Sequence, residues 1–515
     1  MSQAAVSVKG LTFTYQGNLV PAISDINLQV EPGELICITG SSGCGKSTLA
    51  LCLAGFIPHH VAGEMQGSVT INGMDTRSYS PAKLAGRIGL VQQDPEAQLC
   101  TLRVVDEVAF GPENLGLDRA EIRERVDWAL RMVNSGHLLN REVYSLSGGE
   151  KQRIAIASVL AMQPSLIILD EPTANLDPVG AAEVLRVIKK VDQDTSVIVI
   201  EHRLKRLLPV ADRLVMMEQG RIAAQGEPEE VYRQYSQRQY LFPVQRSPDI
   251  SGEKSASSVL SARQESDKTR TVLKVRGLGI KLGDKRVLDD ISFDLYSGDI
   301  AAVMGGNGSG KTSLLLSLLG INKIDQGSIM YHESSLKQEK VSQRARNMGM
   351  VFQNPNHQIF ENTVWKEAVL PSLMLLGETA WDEAYISRLL LEFDLLPYRQ
   401  SLPFSLSLGE KKRLTLVSVL GYQPEILLLD EPLIGQDNRR ADIFWRSVEQ
   451  HRQKGGITIM VCHDPDFVQE FCNRILFFDQ GKLLLDKPVE EGFLSLEELG
   501  FIYYLPGEQL DLQEG

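Results

Sequence analysis

Short apolar runs with no polar interruption recur along the chain at residues 35–38, 166–169 and 197–200, and again at 300–304, 426–429 and 457–461. Stretches with helical periodicity lie between them. A strand with one wet face alternates apolar and polar positions, whereas an unbroken apolar run fits a strand covered on both faces. The pattern predicts an α/β chain with mostly parallel sheets flanked by helices, among them helices over 48–54 and 151–162. Near the C-terminus, residues 493–505 include Phe501, Ile502, Tyr503 and Tyr504. Packing of this stretch on its own domain is the expectation, and docking of a partner is the alternative.

At 515 residues the chain exceeds what one core serves. Two domains are predicted, 1–240 and 271–515, joined by a linker over 241–270. Residues 246–270 are rich in Ser, Asp, Glu, Lys and Gln without apolar periodicity, the composition of a flexible tether. The net charge of -13 argues against a protein wrapped on nucleic acid, and no nucleic-acid partner is expected.

Cys37, Cys44, Cys52, Cys100, Cys462 and Cys472 lack metal-ligand spacing and read as reduced thiols. Cys44, inside a glycine-rich loop, is the one open to oxidation. The first ten residues have no apolar signal core, and no run approaches the roughly 20 apolar residues that span a bilayer. Any membrane location is expected to come through a partner.

The chemistry-bearing motifs occur twice in the same order. The offset is 265 from Lys46 to Lys311, 260 from Gln93 to Gln353, from Ser147 to Ser407 and from Asp170 to Asp430, and 261 from His202 to His463. Ordered matches at a near-constant spacing indicate an internal duplication.

Gly40-Ser41-Ser42-Gly43-Cys44-Gly45-Lys46-Ser47-Thr48 follows a predicted strand and opens a predicted helix, and Gly305-Gly306-Asn307-Gly308-Ser309-Gly310-Lys311-Thr312-Ser313 repeats it. In that context backbone amides and the helix N-terminus cradle phosphates, Lys46 or Lys311 reaches the β/γ-phosphates, and Ser47 or Thr312 ligates magnesium. Asp170 and Asp430 end apolar strands, where a carboxylate can join the metal shell, and Glu171 and Glu431 follow as residues able to orient an attacking water. His202 and His463 sit after later strands, suited to the γ-phosphate and that water. Ser147-Gly148-Gly149-Glu150 and Ser407-Leu408-Gly409-Glu410 have capping-box spacing at the start of a helix, an anion site as well as a helix cap.

Over essentially the whole chain outside the linker, these residues resemble the ATPase subunits of ABC proteins. The resemblance implies two tandem P-loop NTPase domains of ABC type. Each would have a mostly parallel sheet core, a helical subdomain and an antiparallel β portion, with ATP and Mg2+ as ligands. It further implies head-to-tail pairing, so that Ser147 with Gly148 and Gly149 serves the Lys311 site, and Ser407 with Gly409 serves the Lys46 site.

The two sites read as unequal. Leu408 stands where the first copy has Gly148, a side chain able to obstruct the γ-phosphate. Leu282 stands where Tyr15 offers a ring for adenine stacking, worth about 0.5–1.5 kcal/mol beyond its area. Residues 434–437 differ from 174–177 but keep the aspartate. Both sites are expected to hydrolyse ATP, the Lys311 site faster.

The segment from Gln93 through Pro95 to Gln98, followed by Val108-Ala109-Phe110-Gly111-Pro112-Glu113-Asn114, resembles the ATPases of energy-coupling factor (ECF) importers; the second copy keeps Gln353, Pro355 and Gln358 but departs afterwards. In ABC importers such a glutamine, here Gln93 and Gln353, sits near metal and water while the residues after it face the membrane partner. The resemblance implies a transmembrane coupling protein and a small membrane substrate-binding protein as partners, a location on the cytoplasmic face of the cell membrane, and a vitamin, vitamin precursor or transition-metal ion as cargo. Fused chains of this kind are similar to thiamine-precursor importers. Tandem ATPases of monosaccharide importers usually carry a Val-Ala variant of the signature and lack the Gln-x-Pro-x-x-Gln run. Ribosome-acting tandem factors need a long charged linker and basic surfaces, and a non-hydrolysing tandem would not need both Glu171 and Glu431.

Overall fold

The computed structural model describes residues 4–41, 43–174, 176–191, 195–201, 204–240, 271–283, 285–377, 380–432 and 438–507. The described residues divide into two compact units, one up to Tyr240 and one from Thr271.

In the first unit a six-stranded sheet runs in the order Arg221–Gly226, Arg213–Glu218, Leu35–Gly40, Ser196–Ile200, Leu166–Asp170, Ile88–Val91. Its pairs are parallel except the outermost, Arg221–Gly226 with Arg213–Glu218. The second unit repeats the order with Lys482–Pro488, Arg474–Asp479, Ile300–Gly305, Ile457–Val461, Ile426–Asp430 and Met348–Val351. All six predicted apolar runs are strands of these sheets. Side chains alternate between two cores: Leu35 and Cys37 enter the one under the helical subdomain, Ile36 and Ile38 the one under the phosphate-loop helix. That two-sided burial is why the runs lack polar positions.

Each unit also has a four-stranded antiparallel sheet, led by Val6–Tyr15 in the first and Thr271–Leu282 in the second. The helical subdomains are Val104–Asn114, Arg119–Met132 and Gly148–Leu160, then Val364–Leu376, Glu383–Glu392 and Leu408–Leu420. The signature helices therefore begin three residues before the predicted 151, because the serine caps them. The C-terminal rings pack on their own unit: Phe501 and Tyr504 lie 4.6 and 5.0 Å from the Phe477 ring. Among the described residues no helix is long and apolar enough to cross a membrane.

Candidate nucleotide sites

Each central strand ends in a glycine that no other residue could replace. At Gly40 a Cβ would lie 2.1 Å from the Met217 carbonyl oxygen, and at Gly305 2.0 Å from that of Phe478. Both have positive φ, 150° and 136°. The chain then turns into the helices Lys46–Leu53 and Lys311–Leu319. The lysines fold back onto the loop: Lys46 Nζ donates to the carbonyls of Gly40 (2.9 Å) and Ser41 (3.0 Å), and Lys311 Nζ to those of Gly305 (2.9 Å) and Gly306 (2.7 Å). A phosphate oxygen in this loop would exchange those carbonyls for a charged acceptor. Ser42 lies outside the described residues. Cys44 is buried and burial raises its pKa, which disfavours the thiolate and the oxidation the sequence suggested.

At the strand ends, Ser47 hydrogen-bonds Asp170 and Thr312 hydrogen-bonds Asp430. Burial pushes both aspartates up to about 6, with Glu171 adding at the first and Glu431 at the second, while the hydroxyls and the loop lysines oppose the rise. One oxygen of each, Oδ1, is buried without a hydrogen-bond partner. A hydroxyl beside an unsatisfied carboxylate oxygen is a donor set that fits Mg2+, a hard cation taking oxygen ligands.

The next residues, Glu171 and Glu431, have φ of 48° and 49°. Left-handed backbone at a glutamate costs about 1–3 kcal/mol and persists where surrounding contacts hold it. Here Gln93 Nε2 donates to Glu171 at 2.6 Å and Gln353 Nε2 to Glu431 at 3.0 Å. His463 Nε2 lies 3.1 Å from the other Glu431 oxygen, so this imidazole is engaged by the carboxylate. Burial raises the Glu431 pKa, but His463, Lys311 and Lys412 outweigh it and keep the group ionised. His202 lies outside the described residues.

The signature serines are helix caps. Ser147 and Ser407 accept from the amides of Glu150 and Glu410 at 3.4 and 3.3 Å, and each glutamate returns a bond to the serine amide. Ser147, Gly148, Ser407 and Leu408 are exposed, whereas Gly149 and Gly409 are buried. A Cβ at Gly148 meets nothing within 4 Å, so a side chain is accommodated there without a clash. Tyr15 does not hang free: its hydroxyl pairs with Thr48 Oγ1 at 3.0 Å and its ring stands edge-on to Phe13. Leu282 is half exposed.

Several residues of the loop motif are structural. Gln98 accepts from the Gln92 amide (3.0 Å) and donates to Leu90 (3.3 Å), and Gln358 braces Phe352 (3.3 Å) and Met350 (3.1 Å) in the same way. Glu107 takes the amides of Cys100 and Thr101, and Glu367 those of Phe360 and Glu361. The loop following each Gln-x-Pro-x-x-Gln is thus anchored while exposing Leu102 and Phe360, 76% and 77% accessible.

Sequence reasoning missed two differences between the copies. Lys412, where the first has Gln152, donates to the Glu431 carbonyl at 3.0 Å; burial lowers its pKa to about 8 against the pull of Glu431 and Asp430. Glu201, where the second has Cys462, is buried and accepts from Thr173 at 2.7 Å. Aligning the copies beyond their motifs would have exposed both.

The ABC transporter family model matches residues 23–174 and 288–434. A Methanosarcina mazei protein provisionally described as an ABC transporter ATP-binding protein is 33% identical over 100% of this chain and 94% of its own. A Bacillus subtilis protein, YkoD, provisionally described as an HMP/thiamine import ATP-binding protein, is 32% identical over 93% of this chain and 91% of its own. Among solved structures, cbiO1 from Clostridium perfringens, described as part of the ABC transporter complex cbiONQ, aligns with 47% of this chain and 96% of its own at 32% identity and a TM-score of 0.42. With two matched cassettes and relatives alike along nearly its full length, the chain belongs to the ABC transporter family, as a tandem ATP-binding protein whose ATPase activity is coupled to transport.

Proposed function

We propose that this chain is the ATP-hydrolysing subunit of an ECF-type importer of a micronutrient, a vitamin, vitamin precursor or transition-metal ion, with both ATPases in one chain joined through 241–270. Its partners are a transmembrane coupling protein and a small membrane substrate-binding protein, which hold it on the cytoplasmic face of the membrane. The observation that carries the reading is the paired contact of Gln93 with Glu171 and Gln353 with Glu431, at the foot of anchored loops that expose Leu102 and Phe360. A partner pressing on such a loop acts directly on the carboxylate. The full-length likeness to an HMP/thiamine import protein supports the cargo class.

In this mechanism Lys46 and Lys311 leave their loop carbonyls for the β/γ-phosphates, and the loop amides hold the remaining oxygens. Ser47, Asp170 and Gln93, with Thr312, Asp430 and Gln353 at the other site, would hold Mg2+, which neutralises phosphate charge when bound. Glu171 and Glu431 orient and polarise the attacking water, and His202 and His463 fix it. The domains pair head to tail, so Ser147 reaches the Lys311 site and Ser407 the Lys46 site.

The test is purification of the chain from its native membranes in mild detergent, with mass spectrometry of what accompanies it. The expected result is one polytopic membrane protein and one small integral membrane protein whose ligand is the cargo. Recovery of ribosomal proteins, or of a sugar permease with an extracytoplasmic binding protein, would sink the reading.

A further inference from the structure

Five residues after the capping serine, the two signature helices part company. Gly148–Leu160 carries Gln152 where Leu408–Leu420 carries Lys412. Both side chains are buried, at 3% and 5% exposure. The Gln152 amide nitrogen has no hydrogen-bond partner, whereas Lys412 Nζ reaches the main-chain carbonyl of Glu431. Lys412 shares a pocket lining with Val351, Phe393, Leu416, Pro432, Phe444 and Arg413, mostly apolar side chains that screen its charge poorly. An ammonium in such a place is kept only by what it holds, here a carbonyl and the negative field of Asp430 and Glu431.

The Glu431 residue is then gripped at three points: Gln353 on Oε2, His463 on Oε1 and Lys412 on its carbonyl. The first two hold the carboxylate, and the third holds the left-handed peptide that aims it. We infer that Lys412 is a positioning residue for Glu431, tying the helix that starts at Ser407 to the peptide bearing the catalytic carboxylate of the same domain. A shift of that helix when Ser407 engages a nucleotide is therefore transmitted to Glu431. In the first domain the Gln152 amide nitrogen makes no matching tie, so the transmission is built into the second domain. This rests on the reading of Glu431 as the water-orienting group.

The experiment is ATP turnover by the full-length chain carrying Lys412→Met, Lys412→Gln or Lys412→Arg, with Glu431→Gln and thermal melting measured in parallel. Loss of aim at a catalytic group lowers kcat by about fivefold or more, while KM stays within about twofold because the phosphate loop is untouched. Lys412→Met and Lys412→Gln are expected to show that split without a lower melting temperature, since the buried charge is removed, and Lys412→Arg to recover at least about half of kcat. A kcat for Lys412→Met within about twofold of the parent, with Glu431→Gln lowered about a hundredfold, would overturn the tie alone. A drop in kcat and melting temperature together, unrelieved by arginine, would reduce Lys412 to a structural role and also overturn it. Turnover in Glu431→Gln within about twofold of the parent would remove the foundation for both readings.

Discussion

The two domains share the loop and strand-end geometry proposed to handle phosphate and differ in what surrounds it. Glycine at the strand end, the loop lysine, the hydroxyl on the aspartate and the left-handed glutamate under a glutamine recur with nearly the same geometry. Around them the first domain has Tyr15, Gly148, Gln152 and Glu201, and the second has Leu282, Leu408, Lys412 and Cys462. The difference teaches that the strand-end and loop geometry has been kept twice while the residues proposed to stack on the base, meet the γ-phosphate and aim the carboxylate have diverged. A scaffold bond also changed: Asn72 to Ser165 at 2.6 Å in the first domain is His332 to Glu425 at 2.8 Å in the second, joined there by Tyr331.

The largest effect should come from the glutamates. Glu431→Gln is expected to lower phosphate release by about a hundredfold or more, and Glu171→Gln to leave a substantial fraction. Turnover surviving Glu431→Gln but lost in Glu171→Gln would invert the ranking of the sites. Next comes Gly148→Leu, which gives the first signature the side chain of the second; about tenfold slower turnover is expected, from a γ-phosphate held slightly out of place. An unchanged rate would mean that Leu408 does not mark the weaker site. Leu282→Tyr should tighten nucleotide binding about two- to tenfold, the factor that about 0.5–1.5 kcal/mol of ring stacking supplies. Titration with a fluorescent adenine nucleotide checks it, and the gain should vanish with a nucleotide lacking the adenine ring. The smallest effect is expected for Leu408→Gly, about a twofold rise in turnover confined to the Lys46 site. It is best read in Glu431→Gln, where the other site is silent.

Much of this was legible in the chain. Strand positions followed from unbroken apolar runs, and the phosphate loops from glycines, because both features depend on residues a few positions apart. The C-terminal rings packed as expected, since Phe477 offered an apolar surface in the same unit. Within the run after the loop glutamine, read as facing a partner, Glu107, Val108 and Gln98 are buried or brace the backbone, while Phe110, Glu113 and Asn114 are exposed. Sequence spacing cannot separate those roles, because a hydrogen bond to a local amide leaves no periodic trace.

By itself, then, the sequence determined that there are two cassettes, where their strands and phosphate loops lie, and that their signatures are unequal. Only the tertiary structure decided that Gln93 meets a glutamate 78 residues on, that His463 engages Glu431 rather than standing free, and that the buried Lys412 rather than its partly exposed neighbour Lys411 reaches the Glu431 carbonyl. The physical reason is that these contacts are made where the end of one strand meets a loop or helix distant in sequence. Their distances are set by strand order and helix docking, so no local pattern of residues encodes them.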